Sequence, residues 1–392
     1  MIKGKKIAIV TCCLDDWGGS EELWARSIPG LQDEGIGHIT IFKKKINLAH
    51  PEYIKLKHKN IKFSELDPGL SLVEKLASRL ADPFYRLLDR ANVMAYDWNK
   101  PVAKLYKGLK AAPPDLVLIS QGINFDGIAY AYQCFKLNIP YLIVSHKAVD
   151  FFWPQPDDRA YMKETLFNAK RCLFVSAHNK KLTEEQFGIR LQNSDIVINP
   201  VKTKVEPLPY PAVDKGYRLA CVGRLFVIDK GQDMLLRILA QPKWRERNLS
   251  ISFFGAGPDL DGLKEMAQLL KVENISFAGH TNDLKHIWSD HHALILASRS
   301  EGLPLTIIEA MSLGRPVIAT NAGGNGEAIQ DGVTGFVSEV SETDLDKTME
   351  NAWSRRGEWQ NMGIKAAKYI DERIPKEPER LFVNLICNLL ND

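Results

Sequence analysis

Two glutamates separated by seven residues are the side chains whose spacing most clearly suggests chemistry. Glu301 lies in a predicted loop, and Glu309 lies in the helix that we predict for residues 304–313. The start of that helix, at Leu305 and Thr306, presents backbone N–H groups and the positive end of the helix dipole. A phosphate suits such a helix start, and carboxylates beside it suit the hydroxyls of a sugar or ribose. The alternative is a plain helix with one exposed glutamate.

A basic pair follows the strand that we predict for residues 217–222. Arg224 and Lys230 come after the carboxyl end of this strand, which is where ligands bind in doubly wound sheets. A guanidinium fork and an ammonium group together can stabilise a diphosphate leaving group. The alternative is that both residues are surface charges.

Two glycine turns also follow predicted strands. Gly18 and Gly19 would let the backbone approach a ligand after the first strand, with Ser20 as a possible helix N-cap. Gly255 and Gly257 lie in the other turn, between a predicted strand and a helix, but the third glycine of a dinucleotide fingerprint is missing. A nucleotide oxidoreductase is therefore disfavoured.

Two further features have a structural and a functional interpretation. His146 lies at the carboxyl end of a predicted strand, where a histidine can contact substrate or simply be structural. Asp259 and Asp261 have the spacing of a metal-binding pair, but an aspartate at a helix start is more often a cap. We therefore expect no metal site.

The overall composition is that of a globular protein. The chain has 392 residues, of which 45% are hydrophobic and 25% charged, with a net charge of +3. This balance does not favour nucleic-acid binding, and no apolar run reaches the roughly 18 residues that would span a bilayer. The six cysteines lack CxxC spacing, which predicts buried, reduced thiols in a cytoplasmic protein.

Much of the basic excess lies in one group near the N-terminus, which we call the lysine group. It is most simply a solvated surface, but it could also hold an anionic acceptor or a membrane surface. Its members are Lys43, Lys44, Lys45, Lys55, Lys57, Lys59 and Lys62.

Short apolar runs alternate with helical stretches, which predicts an α/β fold with parallel sheets. Prolines cluster near residues 200–216, so we predict an N-terminal domain at 1–200, a hinge at 201–216 and a C-terminal domain at 217–374. The predicted strands are residues 6–13, 38–42, 116–120, 141–145, 172–176, 217–222, 250–254, 275–278, 293–297 and 316–320.

These motifs together resemble family 4 of the retaining glycosyltransferases, whose GT-B fold has two Rossmann-like domains and a cleft between them. The resemblance rests on Glu301-x7-Glu309, on Gly223-Arg224-Leu225 with Lys230-Gly231, and on the glycine turns, including Gly323-Gly324-x-x-Glu327. It is strongest over residues 217–340. One departure is Leu303-Pro304, where many members have Phe-Gly, so we expect a differently shaped sugar pocket.

The resemblance implies a role for each site residue. Arg224 and Lys230 would hold the donor diphosphate, Glu309 the ribose and Glu301 the transferred sugar. Gly18, Gly19 and His146 would reach the donor from the other domain, and residues 375–392 would form a helix that returns to that domain.

The resemblance further implies a nucleotide-sugar donor, a glycan or lipid-linked acceptor, and no cofactor or metal. If the lysine group binds an anionic membrane, we expect the protein to lie peripherally on the inner, cytoplasmic face of that membrane. The alternatives are a sugar-nucleotide epimerase or hydrolase on the same fold, and a non-catalytic nucleotide-sugar-binding protein.

Overall fold

The first of two sheets lies in the N-terminal half of the chain. The computed structural model describes residues 2–57, 61–67, 100–201 and 206–391. The first sheet contains β1 (Lys6–Thr11), β2 (His38–Lys43), β3 (Ile61–Glu65), β4 (Leu116–Gln121), β5 (Tyr141–Ser145), β6 (Arg171–Phe174) and β7 (Ser194–Ile196). The strands lie in the order β3-β2-β1-β4-β5-β6-β7 and all neighbours are parallel.

The second sheet repeats this arrangement in the C-terminal half. It contains β8 (Tyr217–Val222), β9 (Leu249–Phe254), β10 (Ile275–Gly279), β11 (Ala293–Leu296), β12 (Val317–Thr320) and β13 (Gly335–Ser338). Its parallel strands lie in the order β10-β9-β8-β11-β12-β13. In both sheets the order of the strands reverses beside the first strand, between β1 and β4 and between β8 and β11. The predicted α/β fold with two doubly wound sheets is confirmed.

Helices cover both faces of each sheet. In the first domain they are α1 (Gly19–Asp33), α2 (Pro51–Lys57), α3 (Lys100–Ala111), α4 (Ile128–Lys136), α5 (Arg159–Asn168) and α6 (Ala177–Phe187). Further along the chain are α7 (Val227–Lys230), α8 (Gln232–Leu239), α9 (Pro242–Arg245), α10 (Leu260–Leu269), α11 (Leu284–Asp290), α12 (Leu305–Ser312), α13 (Asn325–Ala328), α14 (Glu342–Ser354), a 3-10 turn (Arg356–Glu358), α15 (Trp359–Arg373) and α16 (Pro378–Asn391).

Sequence patterning missed three strands, β3, β7 and β13. All three lie at the edge of a sheet; β3 and β7 have no fully buried residue, and β13 is mostly buried but only four residues long. Without a buried apolar run, the pattern on which strand prediction depends is weak. All six cysteines are free, but Cys12 and Cys13 are partly exposed and not buried as expected.

The last helix, α16, packs against α1 of the first domain. Phe382, Val383 and Ile386 of α16 are buried in the core of that domain. Gly30 of α1 makes the close approach possible, because a Cβ there would lie 3.0 Å from a methyl group of Val383. The two domains are therefore connected twice, once by the linker at 201–216 and once through α16.

Arg315 ties the linker to the second domain. Its buried guanidinium donates hydrogen bonds to the carbonyls of Leu208 and Pro209 in the linker, at 3.2 and 2.8 Å. It also donates to Trp288 O and His291 O, at 3.0 and 2.9 Å. Burial lowers the pKa of Arg315 to about 10, so it stays charged at neutral pH.

The linker therefore consists of two parts. Residues 208 and 209 are fixed on the second domain, and Leu208 N also donates to Leu313 O. Residues 202–205 of the predicted hinge lie outside the described residues.

We predict that Arg315→Met strongly destabilises the second domain. Methionine fills most of the volume but leaves several buried carbonyls without a donor, each of which destabilises by about 1–3 kcal/mol. The measurement is thermal and urea unfolding of the full chain, with the exposed Arg373→Met on α15 as control. An unfolding free energy equal to that of the control would contradict this role for Arg315.

Candidate active site

The predicted site residues lie on loops at the carboxyl ends of strands in both sheets. The loops that follow β1 and β5 carry those of the first domain, and the loops after β8, β9 and β11 carry most of those of the second. Two ion pairs bring these loops together across the domain boundary. Arg224 Nη1 lies 3.0 Å from Asp15 Oδ2, and Lys147 Nζ lies 2.7 Å from Asp229 Oδ1.

The Arg224 loop is supported by the glycines of the neighbouring turn. A Cβ on Gly255 would overlap the carbonyl oxygen of Gly223, and one on Gly257 would overlap that of Leu225. Gly255 also has a φ of +143°, which is unfavourable for other residues. The turn hydrogen-bonds to the loop, since Leu225 N donates to Ala256 O at 3.0 Å. These glycines therefore position Arg224 by close packing of one loop on the other.

Asp259 does not cap its own helix, in contrast to the prediction from sequence. It occupies the N-cap position of α10 without a side-chain capping bond. Its Oδ2 instead accepts from Val227 N at 2.8 Å, at the start of the short helix that ends in Lys230. Among the described residues, no three His, Cys, Asp or Glu side chains are grouped as metal ligands.

Lys230 and Glu301 form an ion pair in which the carboxylate is buried and the lysine side chain is 24% exposed. Lys230 Nζ donates to both carboxylate oxygens of Glu301, at 2.6 and 2.8 Å. Ser298 Oγ donates to the same carboxylate at 2.7 Å, and Glu301 is 5% exposed. The loop of Glu301 is joined to that of Lys230 by backbone bonds as well, because Arg299 N and Ser300 N both donate to Asp229 O.

The glycine turn after β12 holds the backbone of Glu301. Gly323 has a φ of +57°, and a Cβ there would overlap the Glu301 carbonyl. Gly324 N donates to Gly302 O at 2.6 Å. On its other side Gly302 abuts the first domain, since a Cβ on it would overlap the carbonyl oxygen of His146. No larger residue than glycine fits between the two loops.

Helix α12 begins one residue later than predicted. Pro304 is its N-cap, in an extended conformation, and not its first helical residue. Leu305 and Thr306 form the first turn and are half-buried, and Leu303 packs partly on the core of the second domain. Glu309 is buried, and it lies one turn into the helix.

His146 lies at the end of β5 and faces the Glu301 loop through its own backbone. The imidazole is buried, with Nε2 3.3 Å from Ser120 Oγ and Nδ1 3.5 Å from Asn199 Nδ2. Burial lowers the pKa of His146 to about 4, so the ring is neutral at physiological pH. A neutral imidazole can accept or donate a hydrogen bond but carries no charge to a substrate.

The glycine loop of the first domain starts α1. Gly18, not Ser20, is the N-cap of this helix, because the helix begins at Gly19. A Cβ on Gly18 would lie 3.0 Å from Cys13 Sγ, whereas nothing lies within 4 Å of a Cβ on Gly19. Gly19 therefore has open space beside it, and no packing within the protein requires a glycine there.

Lys43 is not a surface residue, which corrects its assignment to the lysine group. It is 2% exposed, and its Nζ donates to Asp15 O at 2.7 Å and Asp16 O at 2.9 Å. It also lies 3.4 Å from the buried carboxylate of Glu21. Sequence reasoning missed this support for the glycine loop because three lysines in a row suggest solvent. Lys44, Lys45, Lys55, Lys57 and Lys62 are exposed, and Lys59 lies outside the described residues.

Glu327 makes a further contact between the domains, which spacing alone could not reveal. Its carboxylate accepts from Ala177 N at 3.0 Å and from His178 N at 2.7 Å, in the first turn of α6. A carboxylate at a helix N-terminus satisfies free N–H groups and complements the dipole. Glu327 of the second domain thereby caps a helix of the first.

Comparison with known proteins agrees with this architecture. The family model described as "Glycosyl transferases group 1" matches residues 216–354. An uncharacterised glycosyltransferase of Haemophilus influenzae is 26% identical over 66% of this chain and 74% of its own length. A GDP-mannose-dependent phosphatidylinositol monomannoside mannosyltransferase of Mycolicibacterium smegmatis is 36% identical, but over only 33% of this chain and 35% of its own.

Solved structures match the whole chain. The Anabaena HepE protein in complex with UDP superposes with a TM-score of 0.71 and 15% identity, over 98% of this chain and 99% of that one. The lipopolysaccharide outer core galactosyltransferase WaaB superposes with a TM-score of 0.69 and 22% identity, over the same shares. At these identities the likeness concerns the fold. Residues 216–354 thus match the glycosyl transferases group 1 family model, and the chain as a whole has the two-domain GT-B fold.

Proposed function

We propose that this protein transfers a hexose from a UDP- or GDP-hexose donor to a hydroxyl of a glycan or lipid-linked acceptor, with retention of configuration. The observation that carries the proposal is the Lys230–Glu301 ion pair beside Arg224 on the donor-side sheet. Cations next to a carboxylate at this edge suit a diphosphate linked to a hydroxyl-rich sugar. Of the similar proteins named above, the one from Mycolicibacterium smegmatis is GDP-mannose-dependent and Anabaena HepE is in complex with UDP, which supports a nucleotide-sugar donor.

Charge stabilisation is the chemical task in this reaction. A diphosphate leaves while positive charge develops on the sugar, so the catalytic groups must balance both. Arg224 and Lys230 would stabilise the leaving group, and Glu301 would face the electron-poor sugar. Both oxygens of Glu301 accept from Lys230, which favours a hydrogen-bonding role over a nucleophilic one. The acceptor would then attack from the leaving-group side, with a phosphate oxygen taking its proton, and without a metal.

A donor screen tests the proposal. The full chain is incubated with UDP-, GDP- and ADP-hexoses, with and without EDTA, and slow release of nucleoside diphosphate and the anomer of the free sugar are measured. We expect hydrolysis of at least one donor, unaffected by EDTA. An epimerised nucleotide-sugar would support the epimerase alternative, and tight binding without turnover in the presence of acceptors would support a non-catalytic protein.

We predict that the two motif glutamates differ in kinetic effect. Glu301→Gln should lower kcat more than it weakens nucleoside diphosphate binding, because only contacts that strengthen in the transition state speed the chemistry. Glu309→Gln should mainly weaken diphosphate binding, because ribose hydroxyls do not change during transfer. The loss of a charged hydrogen-bond partner amounts to about 1.5–3 kcal/mol, roughly 10- to 150-fold.

Calorimetry with UDP and GDP, beside saturating turnover, measures both effects. Glu265→Gln, exposed on α10, is the matched control and should change neither quantity. If Glu301→Gln abolished diphosphate binding and Glu309→Gln left it intact, the two roles would be exchanged.

We predict that Glu327 helps to hold the domains together. Glu327→Ala removes the acceptor of the Ala177 and His178 N–H groups at the N-terminus of α6, and loss of a helix cap costs about 0.5–2 kcal/mol. Small-angle scattering should show a larger radius of gyration than for the wild type, and kcat/KM should fall roughly 2- to 30-fold. Glu339→Ala, at an exposed position, is the control. An unchanged radius of gyration and an unchanged kcat/KM would contradict the prediction that Glu327 helps to hold the domains together.

We predict that His146 remains neutral down to about pH 5. Because burial disfavours the imidazolium, its pKa lies near 4, below that of an ordinary histidine. The unfolded chain therefore binds more protons, so this group lowers stability as the pH falls from about 6.5 towards 4 and has no such effect above that range. The histidine Cε1–H signal that disappears in His146→Gln should titrate below pH 5 by NMR; a midpoint near 6.5 would contradict the prediction.

A further inference from the structure

Three consecutive aromatic residues, which we call the aromatic loop, project into solvent after β5. Phe151 is 60% exposed, Phe152 44% and Trp153 60%. Large aromatic side chains are normally buried, and contiguous exposed apolar patches mark interaction sites. This feature has no part in the donor chemistry described above.

The aromatic loop lies at the rim of the site. It begins four residues after Lys147, whose Nζ forms an ion pair at 2.7 Å with Asp229 of the second domain. Four residues of extended chain reach no more than about 14 Å. The distance from the aromatic loop to Asp229 and its neighbours in the second domain is therefore no more than the length of a short oligosaccharide.

A buried amide network holds the loop in one conformation. Gln186 Nε2 donates to Val149 O at 2.8 Å and to Phe152 O at 2.7 Å. Asn124 donates to Gln186 Oε1 at 3.0 Å and accepts from Val149 N at 2.7 Å. Both amide side chains are buried, and their hydrogen bonds hold the backbone of the aromatic loop, whose own side chains are exposed.

The aromatic faces are oriented as well as exposed. Trp153 Nε1 donates to Asp150 O at 3.1 Å, which fixes the indole relative to its own loop. The rings of Phe151 and Phe152 lie 5.0 Å apart and are tilted by 58°. Fixed aromatic faces with negative π density suit the C–H face of a sugar ring, and they lose little entropy on binding.

The charges around the loop distinguish a sugar from a membrane. Asp150 and Asp157 are exposed and Asp158 is half-buried, while the nearby Arg159 donates to Gln186 O. Carboxylates repel anionic lipid headgroups, whereas they accept hydrogen bonds from sugar hydroxyls. The charge pattern thus favours a neutral glycan.

We infer that the aromatic loop is an acceptor subsite, on which a pyranose ring of the acceptor glycan stacks against Phe151 and Trp153 while its hydroxyls face the flanking aspartates. This inference rests on the proposed transferase function and specifies its acceptor as carbohydrate at this position. The loop carrying it is distinct from the lysine group.

Saturation-transfer NMR tests the inference without requiring turnover. The probes are maltose, cellobiose, lactose and chitobiose, with wild type, Phe151→Ala/Trp153→Ala and the control Phe167→Ala, which removes another exposed aromatic, on α5. We expect transfer to ring C–H protons of at least one disaccharide for wild type and control, and affinity roughly 5- to 100-fold weaker in the double variant. UDP and GDP binding by calorimetry should be the same in all three.

Two results would overturn the inference. One is saturation transfer that is absent from every disaccharide or equal in the double variant. The other is binding to vesicles of equal parts phosphatidylcholine and phosphatidylglycerol that the double variant loses, which would make the loop a membrane contact. Absence of UDP and GDP binding in the wild type would count against the proposed donor chemistry and leave the saccharide result to be judged separately.

Discussion

The ion pair between Lys230 and Glu301 is the interaction on which the candidate site depends. Glu301 is almost fully buried, and a buried carboxylate without a partner would be strongly destabilising. Its partner comes from a different loop, so both loops must be held to within a fraction of an ångström. The backbone bonds from Arg299 and Ser300 to Asp229, and the bond from Ser298 to the carboxylate, provide that rigidity. The same rigidity fixes the two charges that a diphosphate-sugar would meet.

Close backbone packing explains most glycines of the site without reference to a ligand. Gly255, Gly257 and Gly323 each lie where a Cβ would collide with a carbonyl of the loop that carries Arg224 or Glu301. Gly19 differs, because the space beside it is open. A glycine motif in this fold can therefore reflect loop-on-loop packing as readily as contact with substrate, and Gly19 is the position at which a ligand contact best accounts for the residue.

The sequence predicted the fold well because each buried strand is a short apolar run followed by a helix. It also singled out Lys230 and Glu301, but separately, since spacing along the chain says nothing of the distance between loops. Lys43 was misjudged for the same reason: only the carbonyls of Asp15 and Asp16 and the carboxylate of Glu21 explain why it is buried. The predicted helix starts were displaced by one or two residues, since Gly18 and not Ser20 caps α1 and Pro304 is the cap and not the first residue of α12. Helix boundaries depend on backbone dihedrals that composition does not determine.

The contacts between the domains differ in kind from those within the second domain. Arg224–Asp15 is about half exposed on both sides, and a pair of this type contributes about 0–1 kcal/mol. Glu327 adds a helix cap, and Gly302 against His146 adds backbone packing. Lys230–Glu301, in contrast, lies wholly within one domain, and its carboxylate is only 6% exposed. Separation of the domains would therefore break these contacts between the domains and the Lys147–Asp229 ion pair, while Lys230 and Glu301 would keep their geometry because both lie in the second domain.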